Sequence, residues 1–461
     1  MNSINVSEVI DRARLGGLQI LVIALCAMCM VIDGFDVQAM GYVAPALIKD
    51  WHVAKADFGA VFGAGLVGMA IGALALGIVA DMVGRRSVLV GASLTLAASM
   101  AACSGADSLH DLLVLRFIAG VSMGAIVPNA IALAGEYSPS RIRVSLMMVA
   151  SSGFILGGVL GGTIATALIP AYGWRSVFIA GAVAPLALAL VMLVALPESL
   201  QFLTLRGWRP DQVRRRLARI DPALPLGAET RLIVSEVPKE KGVPFLVLFR
   251  EPLGLGTALL WIINFMNLLA AYFLANWLPV IMSESGHSTA HAVLAGTVLW
   301  GGGLLGNLLL GWLVDRRGFG PVLVGMFLAA AAGIAMTGQM AGSLLPALVA
   351  IATAGFCVLG GQSALNTLAA VYYPTPVRST GMGWALGFGR LGSIFGPVVG
   401  GELIRLNWAT SELFFAACVP VLLAMVASLA FWRSGRLPRA AGGPKPPVIA
   451  GGSMPARDLQ T

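Results

Sequence analysis

The sequence predicts an all-α membrane protein of twelve transmembrane helices, arranged as two pseudo-symmetric halves of six. Three observations carry that expectation. Apolar residues make up 58% of the 461-residue chain and charged residues 11%, whereas soluble domains carry about 25% charged residues. The apolar residues gather into twelve stretches, each close to the ~20 residues that a span requires. Residue types also recur across the chain at an offset of 234 or 235 positions.

The stretches lie near 17–42, 56–80, 87–105, 110–135, 145–169, 175–196, 254–280, 290–313, 321–341, 344–370, 379–404 and 411–432. They divide the chain into an N-terminal segment 1–16, a first half 17–196, a polar and basic central loop 197–253, a second half 254–432 and a tail 433–461. Arg12 and Arg14 before the first stretch imitate a secretory signal. The stretch is too long for one and carries two aspartates, so an uncleaved first span is expected. The tail is rich in Pro and Gly (Gly442-Gly443-Pro444-Lys445-Pro446-Pro447), a composition that reads as disorder. Arg214, Arg215, Arg216 and Arg219 in the central loop read as one solvated, basic helix at the membrane surface.

Lys and Arg are placed unevenly. With both termini on one side, 24 fall on that side and four on the other (Lys49, Lys55, Arg175, Arg405). Arg116 and Arg390 fall inside spans, and omitting the ten of the long central loop still leaves 14 against four. Positive charge is retained in the cytoplasm, so both termini are expected there, in a bacterial inner membrane. The net charge of +8 thus reports topology and gives no reason to invoke nucleic acid.

The two halves echo each other. Gly77, Asp81 and Gly84 recur as Gly311, Asp315 and Gly318 at an offset of 234, as do Pro45 and Pro279, placed at the ends of the first and seventh spans. Tyr137-Ser138-Pro139 recurs as Tyr372-Tyr373-Pro374, and Arg143 as Arg378, at 235. Several matches at nearly one offset indicate duplication, and two halves facing a central site are a transporter plan.

Between the second and third spans stands Gly77-Ile78-Val79-Ala80-Asp81-Met82-Val83-Gly84-Arg85-Arg86. Gly77 allows close helix contact, Asp81 suits a neighbouring helix N-terminus, Gly84 permits a tight turn, and Arg85 and Arg86 hold the loop in the cytoplasm. This run resembles the signature loop of the major facilitator superfamily, which implies the major facilitator fold and a role in conformational switching. Gating is therefore assigned to Asp81, Gly84, Arg85 and Arg86, to Glu136 at the cytoplasmic end of the fourth span near Arg141, to Arg143 beside it, and to Asp315 and Arg378 in the second half. The second copy departs from the pattern, because Arg316 and Arg317 precede its glycine, so its clamp is expected to be weaker. Leu196-Pro197-Glu198-Ser199 looks like the segment that closes the sixth span of sugar porters and related families.

Asp33 and Asp36 lie three residues apart in the first span, hence on one helical face. Carboxylates at bilayer depth are kept where they line a cavity, pair with a cation or carry a proton. Asp33-Gly34-Phe35-Asp36, Arg116-Phe117 through Gly120, Gly124, Pro128-Asn129 and Glu136 in the fourth span, and Arg378 through Gly381, Trp384, Gly389-Arg390 and Gly396-Pro397 in the eleventh, together look like the aromatic acid:H+ symporter family. The resemblance covers about 17–432. It implies a proton-coupled importer of benzoate-type acids.

Arg390 lies 12 residues after Arg378 and 15 before Arg405, near mid-membrane at ~1.5 Å per residue. Its planar fork suits a carboxylate, either the substrate's or a permanent partner within the protein. Trp384, Phe388, Tyr42 and Tyr272 offer faces for an aromatic ring or serve as packing. Asn129, Asn267, Gln362 and Asn366 are polar in apolar spans; each is a candidate substrate contact or an interhelical hydrogen bond. Asn267 occupies the repeat position of Asp33 (267 − 234 = 33). Arg116 is expected to pair with Asp33 or Asp36, and shifting that arginine during the cycle would switch proton affinity. Asp36 is the expected proton carrier, with a static ion pair as the alternative.

Other classes find less support. Cys26 and Cys29 form a Cys-x-x-Cys without a second ligand pair, and His287 and His291 are four apart with no third ligand, so no metal is expected. No phosphate-binding Gly-x4-Gly-Lys loop occurs, so no cofactor is expected and the proton gradient is the driving force. An enzyme would need a catalytic cluster, and a chemoreceptor would need a signalling domain; neither is visible. The expected partners are a small aromatic carboxylate, protons and the bilayer, with no obligate protein partner. A non-aromatic acid such as a dicarboxylate, or drug/proton antiport, remains the alternative.

Overall fold

The computed structural model describes residues 3–222, 224, 230–234, 245–250, 253–374 and 377–437. The structure of the tail from residue 438 onward, for which disorder is expected, lies outside the described residues, as do the side chains of Arg378 and Ser379. Twelve long helices dominate: α1 Gly17–Trp51, α2 Phe58–Val83, α3 Arg85–Ser104, α4 Leu109–Tyr137, α5 Arg143–Tyr172, α6 Arg175–Ala195, α7 Gly254–Glu284, α8 Thr289–Arg317, α9 Phe319–Met340, α10 Leu344–Tyr372, α11 Arg378–Arg405 and α12 Thr410–Arg433. All but α11 meet both the length and the hydropathy needed to cross a membrane. At 28 residues α11 is long enough, but its apolar run is broken by glycines and Arg390.

Pro45 and Pro279 do not end their helices. α1 continues to Trp51 and α7 to Glu284, with both prolines inside. A proline removes one N–H and frees one carbonyl, and packed neighbours in a bundle absorb that defect. Both prolines are buried at such contacts.

The helices pair in the same way in both halves: α1 with α5, α2 with α4 and α3 with α6 in the first, and α7 with α11, α8 with α10 and α9 with α12 in the second. The duplication read from spacing is therefore also a duplication of packing. One contact explains how α2 and α4 approach so closely. A Cβ on Gly72 would lie 2.0 Å from the Val121 carbonyl oxygen, and one on Gly306 (306 − 72 = 234) would lie 2.0 Å from that of Phe356. Backbone meets backbone there, as in other membrane helix pairs built on small residues. Gly72→Val is expected to lower the thermal midpoint in detergent by several degrees or to abolish folding. Gly77→Ala, five residues along the same helix with nothing within 4 Å, should leave the midpoint unchanged; equal midpoints for both variants would remove the argument.

Both termini of the bundle lie at one end, here called the terminal end; the opposite end is the far end. At the far end the halves are closed. Lys55 forms an ion pair with Glu284, Gly59 packs on Gly401 and Pro397, and Phe62 meets Trp277 edge-on at 5.2 Å. Gln38 Nε2 donates to the Ala275 carbonyl. Toward the terminal end the last polar contact between halves, among the described residues, is Asn307 Nδ2 to Ser152 Oγ at 3.2 Å. The contact expected at Gly77 is missing, and its repeat partner Gly311 also meets nothing. Both glycines face open space there, and Leu74 and Ile78 beside Gly77 are largely exposed.

Short elements cover the terminal end of the first half. Strand Ser3–Asn5 pairs in parallel with Arg231–Ile233 of the central loop. Arg214, Arg215, Arg216 and Arg219 lie on helix Pro210–Ile220, which buries Val213 and Leu217 and sets Arg214 against Asp211. The short helix Val6–Arg12 is tied down by Asp11 to Arg143.

Candidate functional site

The first and fourth helices meet through their charges. Arg116 Nη1 donates to Asp36 Oδ1 at 2.9 Å, and Nη2 donates to Oδ2 and to the Asp36 carbonyl oxygen, each at 3.1 Å. Both side chains are almost fully buried. A bidentate pair of this kind satisfies both ions and fixes their geometry. Arg116 also lines a small cavity between the halves, with Val37, Phe62, Tyr272 and Asn276 among its walls.

Asp33, one turn away, is different. It is fully buried, and neither carboxylate oxygen has a hydrogen-bond partner. The charges that act on it are Arg390 from the other half and Asp36. Arg390 is half-buried and has no carboxylate within ion-pair distance among the described residues. Its guanidinium meets the Met69 sulfur at 3.4 Å and the Tyr272 hydroxyl. Of the two aspartates, the expected carrier Asp36 is the one locked to arginine. Asp33, without a hydrogen-bond partner, and Arg390, without a carboxylate partner among the described residues, thus belong to opposite halves.

The polar residues of the second half form a chain. Asn267 Nδ2 donates to Gln362 Oε1 at 2.9 Å and to the Val358 carbonyl at 3.2 Å, while Gln362 Nε2 donates to Asn264 Oδ1 at 3.2 Å and Asn366 Oδ1 at 3.0 Å. Sequence reasoning missed Asn264, although it stands three residues before Asn267 and therefore on its face. Asn129 donates to its own helix at the Ala125 carbonyl. Trp384 and Phe388 stack on Trp261 at 5.9 and 5.2 Å. The small cavity beside Arg116 is lined by neither these rings nor Asn129, and Asp33, Arg390, Asn267, Gln362 and Asn366 also lie outside its lining. α11 lies against α7, and Trp384 stays half-exposed beside that contact. Of the four aromatic candidates, Tyr272 is the one that lines the cavity and touches Arg390.

At the terminal end the loop between α2 and α3 turns at Gly84 with φ +97°, and α8 ends the same way at Gly318 with φ +79°. Asp81 does not cap a helix; its side chain is exposed and its carbonyl accepts from Arg206. The anion at the α3 N-terminus is Glu198, whose Oε1 accepts from the Arg86 backbone N–H at 3.1 Å. Glu198 also packs on Gly84, and its carbonyl accepts from the Tyr137 hydroxyl at 2.8 Å. An acid among the basic residues that follow the sixth span was the available signal. Glu136 pairs with Arg85 at 2.7 Å, not with Arg141 or Arg143; Arg143 is held by Asp11 and the Ser138 carbonyl. Asp315 is exposed, and the side chain of Arg378 lies outside the described residues.

Comparison with known proteins follows from this geometry. The Major Facilitator Superfamily profile matches residues 26–288 and again 260–453. The 4-hydroxybenzoate transporter PcaK of Pseudomonas putida is 40% identical over 428 residues, covering 92% of this chain and 95% of that protein. A gallate transporter of Pseudomonas putida is 38% identical, covering 93% and 95%. The benzoate transport protein of Acinetobacter baylyi is 30% identical, covering 92% and 91%. Among solved structures, a bacterial homologue of the human lysosomal transporter Spinster, inward-facing and unoccupied, superposes with a TM-score of 0.72 at 17% identity over 92% of this chain and 99% of that one. At that identity the likeness speaks to the fold.

Proposed function

This chain belongs to the major facilitator superfamily, and from that premise we propose that it is a symporter importing a small aromatic carboxylate with protons across the bacterial inner membrane. Both termini lie in the cytoplasm, so the open terminal end faces inward in this conformation. The single observation that carries the reading is Arg390. It is a permanent cation near mid-membrane, at the seam of the halves, with no carboxylate of its own. Such a group is costly without a partner, and an organic acid supplies one. Tyr272 beside it offers a ring face. The relatives named for 4-hydroxybenzoate, gallate and benzoate support the same substrate class.

In this reading Asp33 carries the proton. An ionised carboxylate with no donor is expensive at that depth, so the acid form occupies this conformation. Asp36 and Arg116 form the fixed brace beside it. Rocking of the halves about Arg390 exposes the site to either side in turn. Lys55–Glu284 closes the outer gate. Asp81, Gly84, Arg85, Arg86, Glu136, Arg143, Asp315 and Arg378 belong to the inner one. The proton gradient is the driving force, without a cofactor. A diacid would need a second free cation, and Arg116 is already occupied by Asp36.

Proteoliposomes with an imposed pH gradient, acid outside, test the proposal. Benzoate and hydroxybenzoates are expected to accumulate, and a protonophore to abolish that accumulation. Accumulation of aliphatic diacids with exclusion of every benzoate would replace this reading.

A further inference from the structure

We propose that the amide cluster Asn264–Asn267–Gln362–Asn366 reads a hydroxyl group on the ring of the transported acid, with Asn267 Oδ1 as the accepting atom. The inference rests on the aromatic-acid reading above and goes one step further, to how the ring's substituents are told apart.

The direction of the hydrogen bonds carries the argument. Asn267 Nδ2 spends both hydrogens on oxygen acceptors, the Val358 carbonyl and Gln362 Oε1. That fixes which end of the amide is oxygen. Gln362 Nε2 likewise spends both hydrogens, on Asn264 and Asn366, and Asn264 Nδ2 donates to the Leu260 carbonyl. What the cluster leaves over at its buried centre is an acceptor. Asn267 is fully buried and its Oδ1 has no donor. Buried polar atoms are nearly always satisfied, so an orphan asks for a reason.

Its place in the fold supplies one. Asn267 is the repeat position of Asp33 (267 − 33 = 234), so the two stand at the same depth in opposite halves. Both present buried oxygen without a donor, and the charge of Arg390 in the second half acts on Asp33 in the first. Asn264 packs against Gly389, the neighbour of Arg390 in the chain, so the cluster adjoins the carboxylate site. Gln362 and Asn366 are half-exposed, which opens one edge of the cluster toward solvent. An acid held by Arg390 through its carboxylate then brings its ring alongside a cluster whose buried centre, Asn267 Oδ1, lacks a donor. A phenolic O–H is such a donor. A carbon–hydrogen or carbon–fluorine edge is not.

The test compares matched ligands on the full chain in proteoliposomes. Benzoate, the three hydroxybenzoates and the three fluorobenzoates compete for uptake of a labelled benzoate. In the unaltered protein at least one hydroxy isomer is expected to compete about 10-fold better than the fluoro acid of the same position, the worth of one hydrogen bond. Asn267→Ala should bring that ratio to about 1, whatever its effect on benzoate itself. A purely structural role would weaken all ligands together and leave the ratio intact, and that result overturns the proposal. The unaltered protein decides alone if the variant does not fold: equal competition by every hydroxy and fluoro pair also overturns it. Failure of all benzoates to enter would instead remove the aromatic-acid reading on which it stands.

Discussion

Arg390→Lys is expected to lower uptake of an aromatic carboxylate about 100-fold in proteoliposomes, with the thermal midpoint in detergent almost unchanged. Lysine keeps the positive charge near Asp33 but cannot offer two parallel donors. Truncating one side of a buried, hydrogen-bonded charge pair costs about 2–5 kcal/mol, and about 100-fold lies within that range. The small effect on stability follows from what Arg390 touches: a thioether and a phenol, with no protein carboxylate left behind by the change. Arg390→Met should be lower still. Near-normal uptake in both variants would show that the carboxylate is held elsewhere. Arg116 sets the contrast, because removing it strands Asp36 in the interior.

Asp33→Asn is expected to abolish accumulation driven by a pH gradient while exchange of labelled for unlabelled substrate across the membrane persists. The amide cannot release a proton, but no hydrogen bond in the protein depends on the carboxylate of Asp33, since neither oxygen has a donor. Asp36→Asn is expected to behave otherwise. It breaks a buried bidentate pair, a loss of roughly 3–5 kcal/mol, and should reduce the amount of folded protein before any transport step is measured. Thermal midpoints and the two transport assays, taken side by side, separate the variants. Uphill accumulation retained in Asp33→Asn would end the carrier role proposed for it.

The sequence made the spans, the repeat and the charged residues of the seam visible because each leaves a local mark. Apolar length reports a span, a fixed offset reports duplication, and an ionisable side chain in an apolar run is conspicuous. What it could not report was pairing in three dimensions. Asp33 and Asp36 are alike in type, depth and face; only the course of α4 past α1 decides that Arg116 takes Asp36. Asp81 is the anion that the sequence suggests for a helix N-terminus, and only the chain after α6 folding back onto α3 gives that place to Glu198. Pro45 and Pro279 were read as ends because local propensity argues that way, and the surrounding bundle overrode it. Trp384 and Phe388 are conspicuous as rings in the sequence, but that each stacks on Trp261, more than a hundred positions earlier in the chain, is visible only in the fold.

The seam at the far end has a consequence for speed. Where Gly59 meets Gly401, two peptide chains touch with no side chains interlocked between them. Separating such surfaces exposes little oily area and asks no rotamer to change. The open and shut arrangements can therefore lie close in energy, so that the cargo, rather than the walls, tips the balance at each turnover. What has to be broken at this end is confined to a few contacts, Lys55 with Glu284, Phe62 with Trp277 and Gln38 with the Ala275 carbonyl.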